Sequence, residues 1–454
     1  MSAGPVPARH LRWGRLWTSS IPRRAGKEYD PLMSYTYQVT RLPNGARIAS
    51  VEMPHMRSVT VGIWAGIGGR HERADEGGIS HFLEHLLFKG TKRRNSRQLT
   101  AAVEGLGGYL NAFTTEDHTC YYAKAGVRHF DRLCDVLGDM YLDSVFPRVE
   151  IEREREVIRE EIRMYRDQPA QHVQELLTST LWPEHPLGRP LTGTVETVSR
   201  IGRPEICAFH RRNYNGAGTV VTVAGEMSHA DAVASLKSSV GRLPQGRRPR
   251  FQRSPRVPRR PAVNLHTHDS EQMHLAMGFH TWGRSDERRF ALKLLSVILG
   301  ENMSSRLFQK LRERNAFCYS ISSGMVTLQD TGALHISAGL DPSKLEPAIR
   351  LILREIEQLA ERGPTRAELK MARDYTIGQT LMGLESTTNQ ILWMGESLLG
   401  YGRVLCPVEI EQRIFAVTSA EVKSVARECL QRGRLGMAVV GPLKNVEKIQ
   451  DMLR

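Results

Sequence analysis

The alternation of apolar and polar positions divides the chain into two runs of similar elements. Residues 35–42 alternate before a Pro43-Asn44-Gly45 turn and residues 46–51 follow it, the pattern of a β-hairpin. Residues 58–65 (SVTVGIWA) read as a further strand, and Gly66, Gly68 and Gly69 turn the chain towards a helix at 78–88. A second helix is expected over 96–106, closed by Gly107-Gly108, and then a strand pair at 109–115 and 119–125. Helices at 129–143, 150–166 and 169–181 lead into a Pro/Gly-rich loop at 182–194. A short helix near 204–212 and a strand at 218–224 end the first run.

An Arg- and Pro-rich linker over 242–260 separates this run from its counterpart. Residues 274–279 parallel the strand at 58–65, and the apolar helix expected at 289–300 stands where the 78–88 helix stood. Pro147 recurs as Pro364. Gly225, closing the strand at 218–224, recurs as Gly441, closing one at 435–440. The offsets of these two pairs agree almost to the residue, which implies a duplicated unit of roughly 200 residues and not a short-period repeat. The expected fold class is α+β: two duplicated α/β-sandwich-like units, each a mostly antiparallel sheet covered by helices. The units span 35–241 and 261–454, joined by the linker.

With 454 residues, 40% hydrophobic and 25% charged, the chain has the material for two or three ordinary domain cores. It has no apolar run of the ~18 residues that a membrane span needs. The formal charge of +14 invites a nucleic-acid reading, but its distribution argues against one. Residues 1–27 carry six Lys/Arg and no acid, residues 242–260 carry eight Arg and no acid, and the remaining body is neutral. A neutral body lacks the basic stripe of a nucleic-acid-binding fold. The six scattered cysteines contain no C-x-x-C pair and suit reduced thiols. Residues 1–34 form a basic leader outside the fold, either an organellar presequence or an extension upstream of a start at Met33. The first alternative implies a mitochondrial matrix location and the second a bacterial cytoplasm.

The chemistry concentrates in Gly78-Ile79-Ser80-His81-Phe82-Leu83-Glu84-His85-Leu86-Leu87-Phe88. On a helix, His81 and His85 lie one turn apart on one face, so two imidazoles can grip one metal ion. Glu84 lies ~60° from His81 on the helical wheel, within reach of a water held there. A core helix whose histidines only hydrogen-bond is the competing reading. It leaves three polar groups to be buried on an apolar helix without a metal. A third ligand is available at 151–164 (IEREREVIREEIRM), where Glu154 and Glu161, seven apart, share a helix face. Taken alone that helix reads as a solvated face laced by Glu–Arg pairs among Glu152, Glu156, Arg159 and Arg163.

Together these residues resemble the pitrilysin/insulinase family of zinc metallopeptidases, with its inverted H-x-x-E-H motif. The branch resembled most is that of mitochondrial processing peptidase and its single-chain bacterial relatives. In that family a distant Glu, at a set spacing past the second His, completes the zinc site. Glu161 stands at that spacing from His85, and its neighbour Glu160 does not. The resemblance therefore implies one Zn2+ per chain on His81, His85 and Glu161, with Glu84 as general base and Glu154 as a further essential carboxylate. It makes the 109–115 strand an edge to which extended peptide adds through Asn111, Ala112 and Phe113. It also matches Arg312 and Tyr319 to a pair that holds the substrate backbone. The second run has lost the chemistry: 289–300 contains no His, and Met371 and Gly378 stand where Glu154 and Glu161 would repeat.

The implied function is a zinc metalloendopeptidase acting on extended or presequence-like peptides. The family closes its chamber from four such units, which implies a homodimer, with a heterodimer as the alternative. The rival readings are a catalytically silent, partner-dependent scaffold subunit and a binder of nucleic acid or anionic membrane through the linker.

Overall fold

The hairpin at the start of the first run forms around a turn in which Gly45 takes φ +92°, a region open to glycine at little cost. It joins β1 (Tyr37–Arg41) to β2 (Arg47–Glu52). The computed structural model describes residues 35–258 and 260–443, so the leader at 1–34 and Arg259 of the linker lie outside the described residues.

The first run continues with β3 (Ser58–Ala65), α1 (Ile79–Leu87), α2 (Ser96–Glu104), β4 (Tyr109–Thr114) and β5 (Thr119–Gly126). Then come α3 (Phe130–Asp143), α4 (Arg148–Asp167), α5 (Pro169–Leu181), α6 (Val195–Arg200), α7 (Arg203–Asn213), β6 (Thr219–Gly225) and α8 (His229–Val240). Its six-stranded sheet has the order β1-β2-β6-β3-β5-β4, antiparallel except where β2 meets β6.

The second run holds β7 (Ala262–Thr267), β8 (Met273–Trp282), α9 (Arg289–Gly300), a π-helix at Phe308–Arg314, β9 (Cys318–Thr327) and β10 (Thr331–Leu340). It ends with α10 (Leu345–Arg362), α11 (Arg366–Leu384), α12 (Thr387–Tyr401), α13 (Pro407–Ala416), α14 (Ser419–Cys429) and β11 (Leu435–Gly441). Its five-stranded order, β7-β11-β8-β10-β9, repeats β2-β6-β3-β5-β4 strand for strand, including one parallel pair, β7 with β11. The fold class is α+β, with two sheets each covered by helices, as the periodicity predicts.

One face of each sheet packs on helices of its own run. In the first, Val61, Ile63 and Val221 meet Phe82 and Leu86 of α1, Leu137 of α3 and Ile158 of α4. The other faces are covered reciprocally, which strand and helix patterns do not foretell. Ile391, Met394 and Leu398 of α12 lie on Val51, Trp64 and Val220 of the first sheet. Val173, Leu177 and Leu181 of α5 lie on Ala276, Ala438 and Val440 of the second. Close approach requires small residues at both seams. A Cβ on Gly395 would fall 2.1 Å from the Trp64 ring, and one on Gly278 2.9 Å from Leu181.

The linker lies along this joint, tied down at several points. Asn215 Nδ2 donates to Arg247 O, Arg70 Nη2 to Gln252 O, and Ser254 N to Asp330 Oδ2. Arg70, 1% exposed, sits 3.8 Å over the Phe251 ring and pairs with Asp117 (3.0 Å) and Asp330 (2.7 Å), so one buried guanidinium spans both runs.

Candidate metal centre

Helix α1 begins at Gly78, whose φ of +91° and lack of a Cβ let the chain pass Thr192 O, 2.6 Å from where a Cβ would stand. Its first amides are satisfied from outside the helix. Glu72 accepts from Gly78 N and Ser80 N, each at 2.8 Å. Burial pushes the Glu72 carboxyl up to about 7 against the pull of those two donors. Phe82, Leu83, Leu86 and Leu87 are buried, which turns His81, Glu84 and His85 to the opposite, cavity-facing side.

Helix α4 crosses α1 and brings Glu161 against both imidazoles. Glu161 Oε2 stands 3.6 Å from His81 Nε2 and 3.9 Å from His85 Nε2. One ligand atom from each of the three residues lies within 4.8 Å of the others. These separations exceed hydrogen bonds and approach the ~3.4 Å between ligand atoms on a tetrahedral zinc with ~2.1 Å bonds. Two imidazole nitrogens and one carboxylate oxygen are a donor set that zinc favours, and three protein ligands leave a fourth position open. Burial, reinforced by the neighbouring His85, pushes His81 down to about 3, so it is neutral, the ligating form, at ordinary pH.

Supporting contacts orient this set. His85 Nδ1 lies 3.1 Å from Glu154 Oε2, and Lys89 Nζ lies 2.7 Å from Glu154 Oε1. Burial alone would raise the Glu154 carboxyl, but the hydrogen bonds from His85 and Lys89 outweigh it and hold it below the usual range. An ionised Glu154 accepts a hydrogen bond from Nδ1–H, which leaves the His85 Nε2 lone pair towards Glu161. Tyr165 donates to Glu161 Oε1 at 2.9 Å, which leaves Oε2 to the histidines. Thr114 Oγ1 donates to Glu84 Oε2 at 2.6 Å. Burial raises the Glu84 carboxyl, and this donor together with His85 opposes the rise.

The cavity in front measures ≈ 600 Å³. Its walls are β4 at Ala112, Phe113 and Thr114, α5 at Gln174 and Glu175, and the loop at 188–192. β4 is the outermost strand of its sheet, paired only with β5 among the described residues. Asn111 is beside the cavity and not in its wall, and its Oδ1 accepts from Ala112 N at 2.8 Å. Arg312 and Tyr319 do not line this cavity. They stand on the π-helix and on β9, the edge of the second sheet, with the Arg312 guanidinium 5.6 Å from the Tyr319 ring and Tyr319 76% exposed.

Thr114, Tyr165, Lys89 and Glu72 play parts here that the sequence reading did not assign. Tyr165 has a signal, since it follows Glu161 by four residues on one helix, whereas Lys89 lies past the end of α1 and meets Glu154 of α4. Thr114 and Glu72 reach the site through tertiary contact alone.

Comparison with known proteins places the chain in a family. Residues 47–195 match the family model described as Insulinase (Peptidase family M16), and residues 200–375 match that of the Peptidase M16 inactive domain. An uncharacterized zinc protease of Mycobacterium leprae is 37% identical over 418 residues, covering 91% of this chain and 94% of that one. One of Bacillus subtilis is 33% identical over 408 residues, covering 89% and 98%. Among solved structures, a protease from Helicobacter pylori superposes with a TM-score of 0.86 at 22% identity, covering 90% of this chain and all of that one (100%). A peptidase M16 inactive domain structure from Pseudomonas fluorescens gives 0.83 at 19% identity, covering 90% and 98%, and supports the fold.

Proposed function

We propose that this chain, which belongs to the insulinase (M16) family of peptidases and is a zinc protease of that family, is an endopeptidase that cleaves extended polypeptides, with Glu84 as its general base. The observation that carries this reading is the convergence of His81, His85 and Glu161 beside Glu84, in a cavity walled by an edge strand.

One Zn2+ per chain would be held by His81 Nε2, His85 Nε2 and Glu161 Oε2, and would supply Lewis-acid polarisation of the scissile carbonyl and a lowered pKa for the attacking water. Glu84 takes the proton of that water on Oε1, the oxygen not held by Thr114, and returns it to the leaving amine nitrogen. Burial moves its carboxyl in the direction that brings a base closer to neutral pH. Glu154 and Tyr165 keep His85 and Glu161 aimed at one point.

Substrate lies extended along β4 and pairs with the main chain of Asn111, Ala112 and Phe113, so that recognition runs through backbone groups. Asn111 Oδ1, which holds Ala112 N, swings off when that amide takes up substrate. Arg312 and the exposed Tyr319 offer a cation and a phenol on the second sheet's edge to the same extended chain. The active form is a dimer of two such chains, with a second, different chain as the alternative partner. Among the described residues no helix is long and apolar enough to cross a membrane.

The test is hydrolysis of quenched fluorescent peptides by the purified chain, as wild type and as Glu84→Gln, with and without a chelator. Chelator-sensitive cleavage at internal bonds that the variant loses supports the assignment. Silence of the zinc-loaded wild type favours the partner-dependent scaffold instead.

A further inference from the structure

A second concave site lies away from the metal centre, where β1, β2, the linker and the end of α12 meet. Its ≈ 560 Å³ cavity is walled by four arginines, Arg41, Arg47, Arg247 and Arg248, and by no carboxylate. Arg41 and Arg47 are directly opposed across the antiparallel β1–β2 pair, a placement that sets two like charges on one face. Arg247 and Arg248 come from the linker, which Asn215 holds through its hydrogen bond to Arg247 O. None of the four forms a salt bridge among the described residues, although the rest of the chain makes many.

Arg47 is what distinguishes this cluster from a solvated basic surface. It is 7% exposed, and its Nη1 donates to Leu398 O near the end of α12 at 2.8 Å. Its Nε and Nη2 are buried with no protein acceptor among the described residues. Burial, followed by the charges of Arg248 and Arg41, pushes this guanidinium down to about 10, so the site bears uncompensated positive charge. Neutral hydrogen-bond acceptors would satisfy these two nitrogens but leave the four charges unbalanced. An oxyanion does both. The donors come from both strands and the linker around one concavity, which suits the several oxygens of a phosphate better than one planar carboxylate. Gly402 adds no side chain to the wall, and a Cβ there would meet nothing within 4 Å.

We propose that this cavity is a binding site for a phosphate group, either inorganic phosphate or the phosphoryl end of a small organic phosphate, gripped by Arg47 and closed by Arg41, Arg247 and Arg248. Because the walls come from the first sheet, the linker and a helix of the second run, the bound anion also ties the two runs together. The site is independent of the peptidase assignment.

The experiment is calorimetric titration of the zinc-loaded full chain with inorganic phosphate, pyrophosphate and AMP, at ionic strength held constant with chloride. Saturable binding with one site per chain is expected, weakened at least about tenfold in Arg47→Gln and in Arg248→Gln. Tighter binding of AMP than of phosphate assigns an organic phosphate, and the reverse order assigns the free anion. Arg41 and Arg248 are exposed, so Arg41→Gln and Arg248→Gln carry the test if Arg47→Gln does not fold. Absence of saturable binding to all three probes overturns the proposal, as does binding that these variants leave unchanged. Capture of a DNA duplex or anionic vesicles with no small phosphate bound overturns it too, in favour of a surface polyanion site.

Discussion

His85 faces two carboxylates at once, with Nδ1 3.1 Å from Glu154 Oε2 and Nε2 3.9 Å from Glu161 Oε2. One ring is thereby held by the first carboxylate and aimed at the second. The seven-residue spacing of the two glutamates on α4 is what lets one helix do both. Glu154→Ala is expected to weaken zinc binding by about 10–100-fold while leaving the fold intact. Competition with a chromophoric chelator measures this, and an unchanged zinc affinity would show that Glu154 does not orient the site.

Glu84→Gln is expected to retain one zinc per chain and to lose peptide cleavage by about 10²–10⁴-fold, the range for removing a positioned general base. His81→Ala, His85→Ala and Glu161→Gln are expected to lose the metal itself. Elemental analysis beside the turnover assay separates the two classes. A Glu84→Gln protein that cleaves at the wild-type rate would remove Glu84 from the mechanism.

Gly395→Ala places a better helix former in α12, worth about 1 kcal/mol in an exposed helix. Here the added Cβ would fall 2.1 Å from the buried Trp64 ring. Overpacking at a rigid indole costs about 1–3 kcal/mol or more, so the net change is destabilising. Urea unfolding reports the sign directly, and a stabilised variant would mean that α12 does not dock as described.

Acid should destabilise the fold through its buried histidines, of which His210 is the clearest. Burial pushes it down to about 4, only partly opposed by its bond to Tyr141 O. Its ordinary value is 6.5, so between about 4 and 6.5 the unfolded chain binds the extra proton. The contribution is whole above 6.5 and drains away as pH falls towards 4, at up to about 1.4 kcal/mol per pH unit. His210→Gln should therefore lose about 2 kcal/mol less than wild type between pH 7.5 and 5. Urea melts in the presence of chelator keep metal release out of the comparison, and parallel losses in the two proteins would contradict the assignment.

Much of this protein is legible in one dimension, because the decisive relations are local periods. The positions of His81, Glu84 and His85 on one face of α1, the shared face of Glu154 and Glu161, and the strands at 58–65 and 435–440 follow from side-chain direction along a helix or strand. The duplication shows in the matched spacing of Pro147 to Pro364 and of Gly225 to Gly441, and it returns as the matched strand orders of the two sheets. Elements beyond those named from the pattern include α6 at 195–200 and α8 at 229–240, and in the second run β7, β9, β10 and α10 to α14.

What the tertiary structure alone decided are relations between residues far apart in the chain. Apolar periodicity shows that α5 and α12 have faces to bury but not where. Burial is non-directional, and only the shapes of Gly278, Gly395 and Gly436 select the opposite sheet for each. Thr114 reaches Glu84, and Glu72 the first turn of α1, across loops whose course no local pattern fixes. The meeting of Arg41 and Arg47 with Arg247 and Arg248 depends in the same way on where the linker crosses the sheet.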